Sequence, residues 1–401
     1  MTGSDKNHFG DELDSFSLEA FSGHKKPSVI GTGSPGGKAK GLIGISKHLT
    51  QSFNAKDFEE IEFNIPSLTV ILSDVFDTFM AQNQVTAEML TEQSDDRIAH
   101  AFQTYDLPFG VLGDLRAIVD QIHFPLAVRS SSILEDALES PFAGIYATKM
   151  IPNNESDPGV RFLKLTEAIK FVYASTFFKA AKDYRKAIGK GLLDEKMAVI
   201  IQEVVGRKHG HRYYPDISGV ARSFNYYPPS HSKAEDGIVN LALGLGKTIV
   251  DGDPSWWFTP NAPKANPPFL DVKEWLKQTQ IQFWSVNLGP PPAYDPTNES
   301  EYLIKCGLKD AEYDDTLKAV ASTYDPRNDR INVGLAEMGP RLVTFAPILV
   351  YNLFPLNNLL KHMIKICEQA YHSHVEIEFA ITLNPTRLGL LQVRALRATN
   401  E

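Results

Sequence analysis

The sequence predicts an α+β fold with more than one lobe. Its 401 residues exceed what one ordinary domain holds. Segments with the period of a strand are interspersed with segments of helical period, and no internal repeat is visible. The chain closes on two alternating arms, 375–381 and 390–397, joined by a short turn. That closing pattern is typical of an antiparallel hairpin.

Composition and charge exclude several classes of protein. The apolar (43%) and charged (22%) contents are those of a folded chain. A net charge of −9 argues against a general nucleic-acid surface, so an anionic substrate would need a local basic pocket. Two cysteines cannot form a disulfide framework, which favours a cytoplasmic location. Residues 1–27 are expected to be a flexible leader rather than a signal peptide. The apolar run 342–360 contains prolines and asparagines and therefore predicts core, not a membrane span.

Residues 28–49 predict a strand, a glycine-rich loop and an amphipathic helix. Backbone N–H groups at such a helix start favour an anion, and Lys38 adds a positive charge. The glycine spacing matches a dinucleotide fingerprint but lacks its βαβ context, and Ala39 after Lys38 excludes a P-loop. The alternative is a helix start whose glycines only permit the turn.

The rest of the chain predicts further strands and helices. The expected strands are 61–72, the stretch from 127, 197–205, 218–224 and 237–254, the last with a glycine turn at Gly244 and Gly246. The expected helices are 73–80, most of 84–106, 110–122, 159–188, one short helix near 271–280, and 356–372. Residues 302–345 are expected to form a strand, a helix and another strand.

Arginine and three serines end the strand that starts at residue 127. Arg129 at the end of a strand offers a planar guanidinium that suits phosphate oxygens. Ser130 and its two neighbours add hydroxyl donors, and Glu135 and Asp136 add hard oxygen ligands. For an isolated R-S-S-S, a strand, an Asx-type turn and a surface salt bridge would be the better interpretation, so the phosphate interpretation depends on the other motifs of the chain.

The closing hairpin predicts a second group of polar side chains. Alternation allows Glu378, Gln392 and Arg394 to share one face, provided that the register agrees, with Leu391 and Val393 on the other. A carboxylate, an amide oxygen and a guanidinium suit a Mg²⁺-bound triphosphate. The alternative is an exposed polar sheet face with a cross-strand ion pair.

Other chemistry has weak sequence support. His209 and His211, and His372 and His374, are spaced like metal pairs but have no nearby third ligand, so solvated histidines are the better interpretation. No nucleophile elbow and no paired-cysteine motif is present. The sequence therefore directs attention to the phosphate-type motifs.

Taken in order, these motifs resemble the ATP-binding domain of the phosphoenolpyruvate synthase and pyruvate phosphate dikinase family. The similar segments are GGKAKGL, AVRSSSILEDALESPFAG, MAVIIQEVV, GLGKTIVDG, and EIEFAI with LLQVRAL. The resemblance runs from about residue 29 to 397. It implies an ATP-grasp-like fold in which two lobes with mixed or antiparallel sheets enclose a nucleotide cleft. The lobes are expected at 28–205 and 206–401, with a proline-rich insertion at about 259–300.

The resemblance also implies an ATP-dependent phosphotransferase with Mg²⁺ as cofactor. Lys38 and Arg129 would bind phosphates, and Arg394 would stabilise the transferred charge. Glu378 and Gln392 would hold Mg²⁺. The further nucleotide-binding residues implied are Ser130, Asp136, Gln202, Val204, Gly244 and Gly246.

Three departures and one absence qualify the expectation. Asn240 and Lys247 stand where Glu is usual in relatives, and Arg222 stands where an aromatic residue is expected. The family's phosphohistidine segment is not found, so the resemblance implies a swivelling phosphohistidine domain and a pyruvate-binding domain in a longer chain or in trans. No nucleic-acid or membrane partner is expected.

A non-catalytic ATP-sensing regulatory domain and an ATP-grasp ligase stay open as alternative functions. The final phosphoryl acceptor and the choice of ADP or AMP as product also stay open.

Overall fold

A computed structural model describes residues 14–16, 27–52, 58, 61–132, 144–229, 232–265 and 271–396. The strands are β1 Asp14–Ser15, β2 Ser28–Ile30, β3 Glu62–Asn64, β4 Leu68–Ile71, β5 Leu126–Ser132, β6 Thr148–Ile151, β7 Met197–Glu203, β8 Arg207–His209, β9 Arg212–Tyr214, β10 Ile217–Arg222, β11 Ile238–Ala242, β12 Trp256–Phe258, β13 Gln282–Asn287, β14 Leu303–Gly307, β15 Ala321–Asp325, β16 Arg330–Val333, β17 Arg341–Val343, β18 His374–Leu383 and β19 Thr386–Leu396. The helices are α1 Gly36–Ser52, α2 Ser73–Gln82, α3 Ala87–Thr91, α4 Asp95–Thr104, α5 Phe109–Gln121, α6 Pro158–Ser175, α7 Lys179–Ala187, α8 Lys247–Val250, α9 Val272–Gln278, α10 Leu308–Tyr313, α11 Ala346–Leu349 and α12 Leu356–Tyr371. Most of the expected leader lies outside the described residues.

The chain divides into two compact units, each assembled from separate stretches of sequence. The first unit comprises Met1–Ile43, Pro66–Val204 and Pro291–Tyr302. The second unit comprises Gly44–Ile65, Val205–Pro290 and Leu303–Glu401. The lobe boundaries given by the sequence stay a prediction.

A six-stranded mixed sheet forms the centre of the first unit. Its strand order is β1-β2-β4-β7-β5-β6, parallel from β1 to β4 and antiparallel from there on. All seven residues of β7 are buried, so both faces of this apolar strand are covered. One core contains residues of β5 and β7 together with α2, α4, α5 and α6.

The expected helix 159–188 is two helices, because the chain leaves the helical path after Ser175. Three successive backbone N–H groups, from residues 176 to 178, bond to the carbonyl three residues earlier and tighten the chain. The Ser175 hydroxyl also accepts the Ala147 N–H at 3.1 Å. Phe177 is then fully buried in the core of this unit. The helix starts close to the predicted position, with Asp157 as its N-cap and Pro158 in the first turn.

Three sheets make up most of the second unit. Their strand orders are β12-β11-β10-β18-β19-β3, β14-β13-β9-β8 and β16-β15-β17. The first is antiparallel except for the parallel pair of β19 and β3. Helix α12 packs on β18 and β10 of this sheet through a row of buried apolar side chains. The prediction of a mixed α and β fold with mixed and antiparallel sheets is confirmed.

Two stretches of the second unit differ from the sequence expectation. Within 237–254 only β11 is a strand, and the helix α8 follows it. Gly244 has φ +80°, and a Cβ there would lie 2.7 Å from the Trp284 carbonyl oxygen, so the chain turns at this glycine as predicted and does not continue as a strand. The proline-rich stretch contains the short helix α9 as expected, but also β13, whose Phe283 and Val286 are buried. Strand β13 belongs to the four-stranded sheet β14-β13-β9-β8, so this part of the proline-rich stretch is not a separate insertion.

The closing hairpin forms as predicted, with one irregularity. Glu378 lies opposite Gln392, and the next pair is Phe379 with Leu390, so Leu391 is an extra residue in a β-bulge. The bulge shifts the alternation by one residue. Leu390 is fully buried, whereas Leu391 is only partly buried. The prediction that Leu391 faces the core with Val393 is wrong for this reason.

No helix among the described residues is long and apolar enough to cross a membrane. The apolar run 342–360 contains the short helix α11 and the start of α12. Ile348, Leu356 and Leu360 from this run are buried. The interpretation of the run as core is confirmed.

Candidate phosphate and metal site

The lysine loop, residues 31–38, leaves β2 and enters α1. The Asp74 carboxylate accepts hydrogen bonds from the backbone N–H groups of Thr32 and Gly33, both at 2.9 Å. Gly31 has φ +99°, and a Cβ there would lie 2.6 Å from Asp74 Oδ1. Burial disfavours the ionised carboxyl, but the hydrogen bonds from Thr32 and Gly33 outweigh it and lower the pKa of Asp74. This carboxylate therefore fixes the path of the loop.

The serines after Arg129 attach the lysine loop to β5. Ser131 Oγ donates to the Pro35 carbonyl at 2.7 Å and accepts the Ala39 N–H at 3.0 Å. Lys38 Nζ donates to Ser130 Oγ at 3.1 Å. Both serines are fully buried. Their hydroxyls thus position the loop and its lysine, a role that the sequence did not suggest.

Arg129 and Gln202 meet on the neighbouring strands β5 and β7. Gln202 pairs with Ala127, and Arg129 follows two residues on, so both side chains extend from the same face. Arg129 Nη1 donates to Gln202 Oε1 at 3.2 Å, and Gln202 is 2% exposed. The amide oxygen therefore orients the guanidinium.

The other predicted residues of the first unit are Val204 and Asp136. Val204 is buried, and its N–H donates to the Pro125 carbonyl at 3.0 Å. In this conformation that N–H is engaged by the protein backbone. Asp136 falls within 133–143, outside the described residues.

Gly244 and Gly246 shape a turn between β11 and α8. The Ser218 hydroxyl donates to the Gly244 carbonyl at 2.6 Å. Gly246 is the N-cap of α8, and the N–H of Leu245 between them donates to the Trp284 carbonyl at 3.0 Å. The turn is held on both sides by β10 and β13.

The six-stranded sheet of the second unit, β12-β11-β10-β18-β19-β3, has one polar face. The register places Val220, Glu378 and Gln392 in one row across β10, β18 and β19, with Asn240 beside Val220 on β11. Arg394 lies two residues along β19 from Gln392, so the three predicted side chains share one face, as expected.

The donor atoms of Glu378 and Gln392 are of the type that Mg²⁺ prefers. Glu378 and Gln392 are direct cross-strand neighbours and offer a carboxylate and an amide oxygen. Mg²⁺ commonly takes few protein ligands and completes its shell with phosphate and water oxygens. Among the described residues no cluster of three or more His, Cys, Asp or Glu side chains is present that would favour another metal. Bound there, Mg²⁺ would neutralise phosphate charge.

An ion-pair row lies next to these two side chains. Glu376 is 4% exposed, and it accepts Arg222 Nε on Oε2 at 2.5 Å. Arg394 approaches the other oxygen, with Nε at 2.7 Å and Nη2 at 2.6 Å from Oε1. The cross-strand ion pair of the alternative interpretation is therefore present, between Glu376 and Arg394. Glu376 is not among the predicted site residues, and Arg222 is noted there only as a departure from an expected aromatic residue. The second acid of V-E-I-E-F was the available signal.

A known protein family matches most of the chain. The family described as "Pyruvate phosphate dikinase, AMP/ATP-binding domain" matches residues 33–401. The chain belongs to this family. It is also 26% identical over 164 residues to the "Uncharacterized phosphotransferase YvkC" of Bacillus subtilis (strain 168). That match covers 41% of this chain and 17% of the relative's length.

This member of the dikinase ATP-binding family uses its three unusual residues in different ways. Lys247 Nζ donates to Asp251 Oδ1 at 3.0 Å, so its charge is part of an ion pair. Asn240 adds an uncharged amide to the polar face. Arg222 adds a cation to it. The polar face is therefore less acidic than the resemblance implies.

Proposed function

We propose that this chain binds Mg·ATP and transfers a phosphoryl group to a histidine on a partner domain or partner chain. The observation that carries the proposal is the register of the closing hairpin, which sets Glu378 against Gln392 with Arg394 in the next row. The family match over residues 33–401 supports ATP as the nucleotide. The ATP-grasp-like arrangement of two lobes is part of the proposal.

The proposed roles follow from charge and hydrogen bonding. Lys38 and Arg129 bind phosphate oxygens, one as a point charge held by Ser130 and the other as a fork oriented by Gln202. Arg394 neutralises charge that develops on the transferred group. Phosphoryl transfer needs positioning and neutralisation more than covalent help from the protein, and these residues supply both.

The remaining nucleotide contacts and the partners complete the proposal. Gln202 and Val204 would lie near the adenine, and Gly244 and Gly246 would let the backbone approach the nucleotide. Asp136 would assist Arg129 or the metal. The acceptor histidine belongs to a swivelling domain, which then delivers the phosphoryl group to a pyruvate-binding domain.

The test supplies the chain with ATP labelled at the β or γ phosphate, Mg²⁺ and a phosphohistidine domain of this family. We expect acid-labile label on the histidine of the supplied domain, and none when Glu378→Gln replaces the natural chain. ATP binding without label transfer in the natural chain would contradict the proposal.

A second candidate is a regulatory domain that binds ATP without catalysis. The specific observations are Asn240 and the Lys247–Asp251 ion pair, which replace acidic groups expected in the family. This candidate predicts tight Mg·ATP binding and no label transfer in the same experiment. The two functions therefore give opposite results.

A further inference from the structure

Three residues form a continuous charged row on the polar face of the second unit's sheet. Arg222 on β10, Glu376 on β18 and Arg394 on β19 are direct cross-strand neighbours, and we call them the arginine row. Each guanidinium bonds a different oxygen of the one buried carboxylate. The row carries two positive charges and one negative charge, so it presents a net cation to whatever covers this face.

The arginine row lies next to the proposed metal ligands. Glu378 and Gln392 are two residues along the same strands, which is about 6.8 Å at the usual rise of an antiparallel strand. A negative row for a cation and a positive row for an anion therefore run side by side. A magnesium-bound polyphosphate carries charges of both signs, and Mg²⁺ is commonly bound through one or two carboxylates together with substrate phosphates.

Arg222 is accessible as well as oriented. Its side chain is 36% exposed, and the Glu376 contact fixes its Nε. In the described part of the chain, no hydrogen bond to protein involves its two terminal nitrogens, Nη1 and Nη2. Such a guanidinium can offer its outer edge to phosphate oxygens while the inner edge stays bound.

We propose that Arg222 is a second phosphate-binding guanidinium of the nucleotide site and that Glu376 is a positioning residue for both arginines. The inference rests on the proposed function and adds a residue to it. Glu376 is a poor metal ligand, because both of its oxygens are engaged by guanidinium groups and a divalent cation would be repelled by two positive neighbours. The ligand class is a polyphosphate chain.

The test measures binding of Mg·ATP and of adenosine to the natural chain and to Arg222→Met by calorimetry. We expect the Kd of Mg·ATP to rise about tenfold, equivalent to about 1.4 kcal/mol, with the Kd of adenosine unchanged. A purely structural role would weaken both ligands together. Arg341→Met is the matched control, because Arg341 forms an ion pair with Glu312 in the same unit, outside the arginine row.

Glu376→Gln tests the positioning role through a double-mutant cycle. We expect Glu376→Gln to weaken Mg·ATP, and the double variant with Arg222→Met to lose less than the sum of the single losses. Additive losses would contradict positioning. If the methionine variant does not fold, Arg222→Gln takes its place in both experiments.

The outcomes separate this inference from the proposed function. If the natural chain and Arg222→Met bind Mg·ATP with the same Kd, the role of Arg222 is overturned and the proposed function stays intact. If the natural chain binds no Mg·ATP, the role of Arg222 and the proposed function are both overturned.

Discussion

At the scale of single residues, Lys38 and Arg129 of the first unit each donate to a neutral acceptor on a strand. Ser130 accepts from Lys38, and Gln202 accepts from Arg129. A neutral acceptor can orient a cationic side chain without cancelling its charge.

Lys38→Ala and Arg129→Ala are each expected to lower the rate of phosphoryl transfer at least a hundredfold, because removal of one positioned donor commonly costs that much. Thermal unfolding should stay within a few degrees of the natural chain. Lys196→Ala is the control, since Lys196 forms an exposed ion pair with Asp77 in the same unit. Full activity in either test variant would contradict the assignment.

Asp74 gives a pH dependence of definite sign. Its pKa is lowered in the folded protein, so the ionised carboxylate favours the folded state. The contribution is present above the unfolded value of about 3.9 and is lost as the pH falls through the folded pKa. We therefore expect Asp74→Asn to be less stable than the natural chain at pH 7 and equally stable near pH 2. The measurement is urea unfolding across that range, and an equal difference at both pH values would refute the role.

The sequence predicted the lysine loop but not how it is held. Glycine spacing and the apolar face of α1 identify a helix start by local rules. Asp74 reaches Gly33 across 41 positions, and Ser131 reaches Pro35 across 96. Such contacts depend on which strands become neighbours, and local sequence patterns do not determine this.

At the scale of elements, the closing hairpin has two regular stretches of pairing separated by one bulge. Alternation alone correctly predicted that Glu378 and Gln392 share a face. It failed at Leu391, because a bulge adds one residue to β19 and period-two reasoning assumes an unbroken ladder. The bulge adjoins the predicted metal ligands.

Leu390 and Leu391 form a matched pair that tests the bulge. Leu390→Ala should lower the free energy of unfolding by about 2–5 kcal/mol, because Leu390 is fully buried. Leu391→Ala should cost less than about 1 kcal/mol. Chemical denaturation measures both, and a reversed order would show that unbroken alternation is correct.

At the scale of the whole molecule, residues 291–302 belong to the first unit although their sequence neighbours belong to the second. Within the first unit, Lys149 of β6 is 1% exposed and forms an ion pair with Glu301 at 2.7 Å. Burial lowers the pKa of Lys149, and the Glu301 carboxylate opposes that shift. Lys149 Nζ also donates to the Pro296 carbonyl at 2.8 Å. A sequence interpretation as a surface insertion could not anticipate this buried pair.

Lys149→Met is expected to destabilise the protein by about 3–5 kcal/mol, because it leaves the Glu301 carboxylate buried without its counter-charge. Adding Glu301→Leu should restore most of the loss. Urea unfolding of the two single variants and the double variant provides the measurement. The pairing would be contradicted if the loss of unfolding free energy in the double variant equalled the sum of the losses in the two single variants.

The proposed function requires that Lys38, Arg129, Glu378 and Gln392 act on one Mg·ATP. A crystal structure with Mg²⁺ and a non-hydrolysable ATP analogue tests it most directly. The account predicts one nucleotide whose phosphates contact Lys38 and Arg129 and whose metal contacts Glu378 and Gln392. A bound nucleotide that lacks contact with Lys38 and Arg129, or whose metal lacks contact with Glu378 and Gln392, would contradict the proposal.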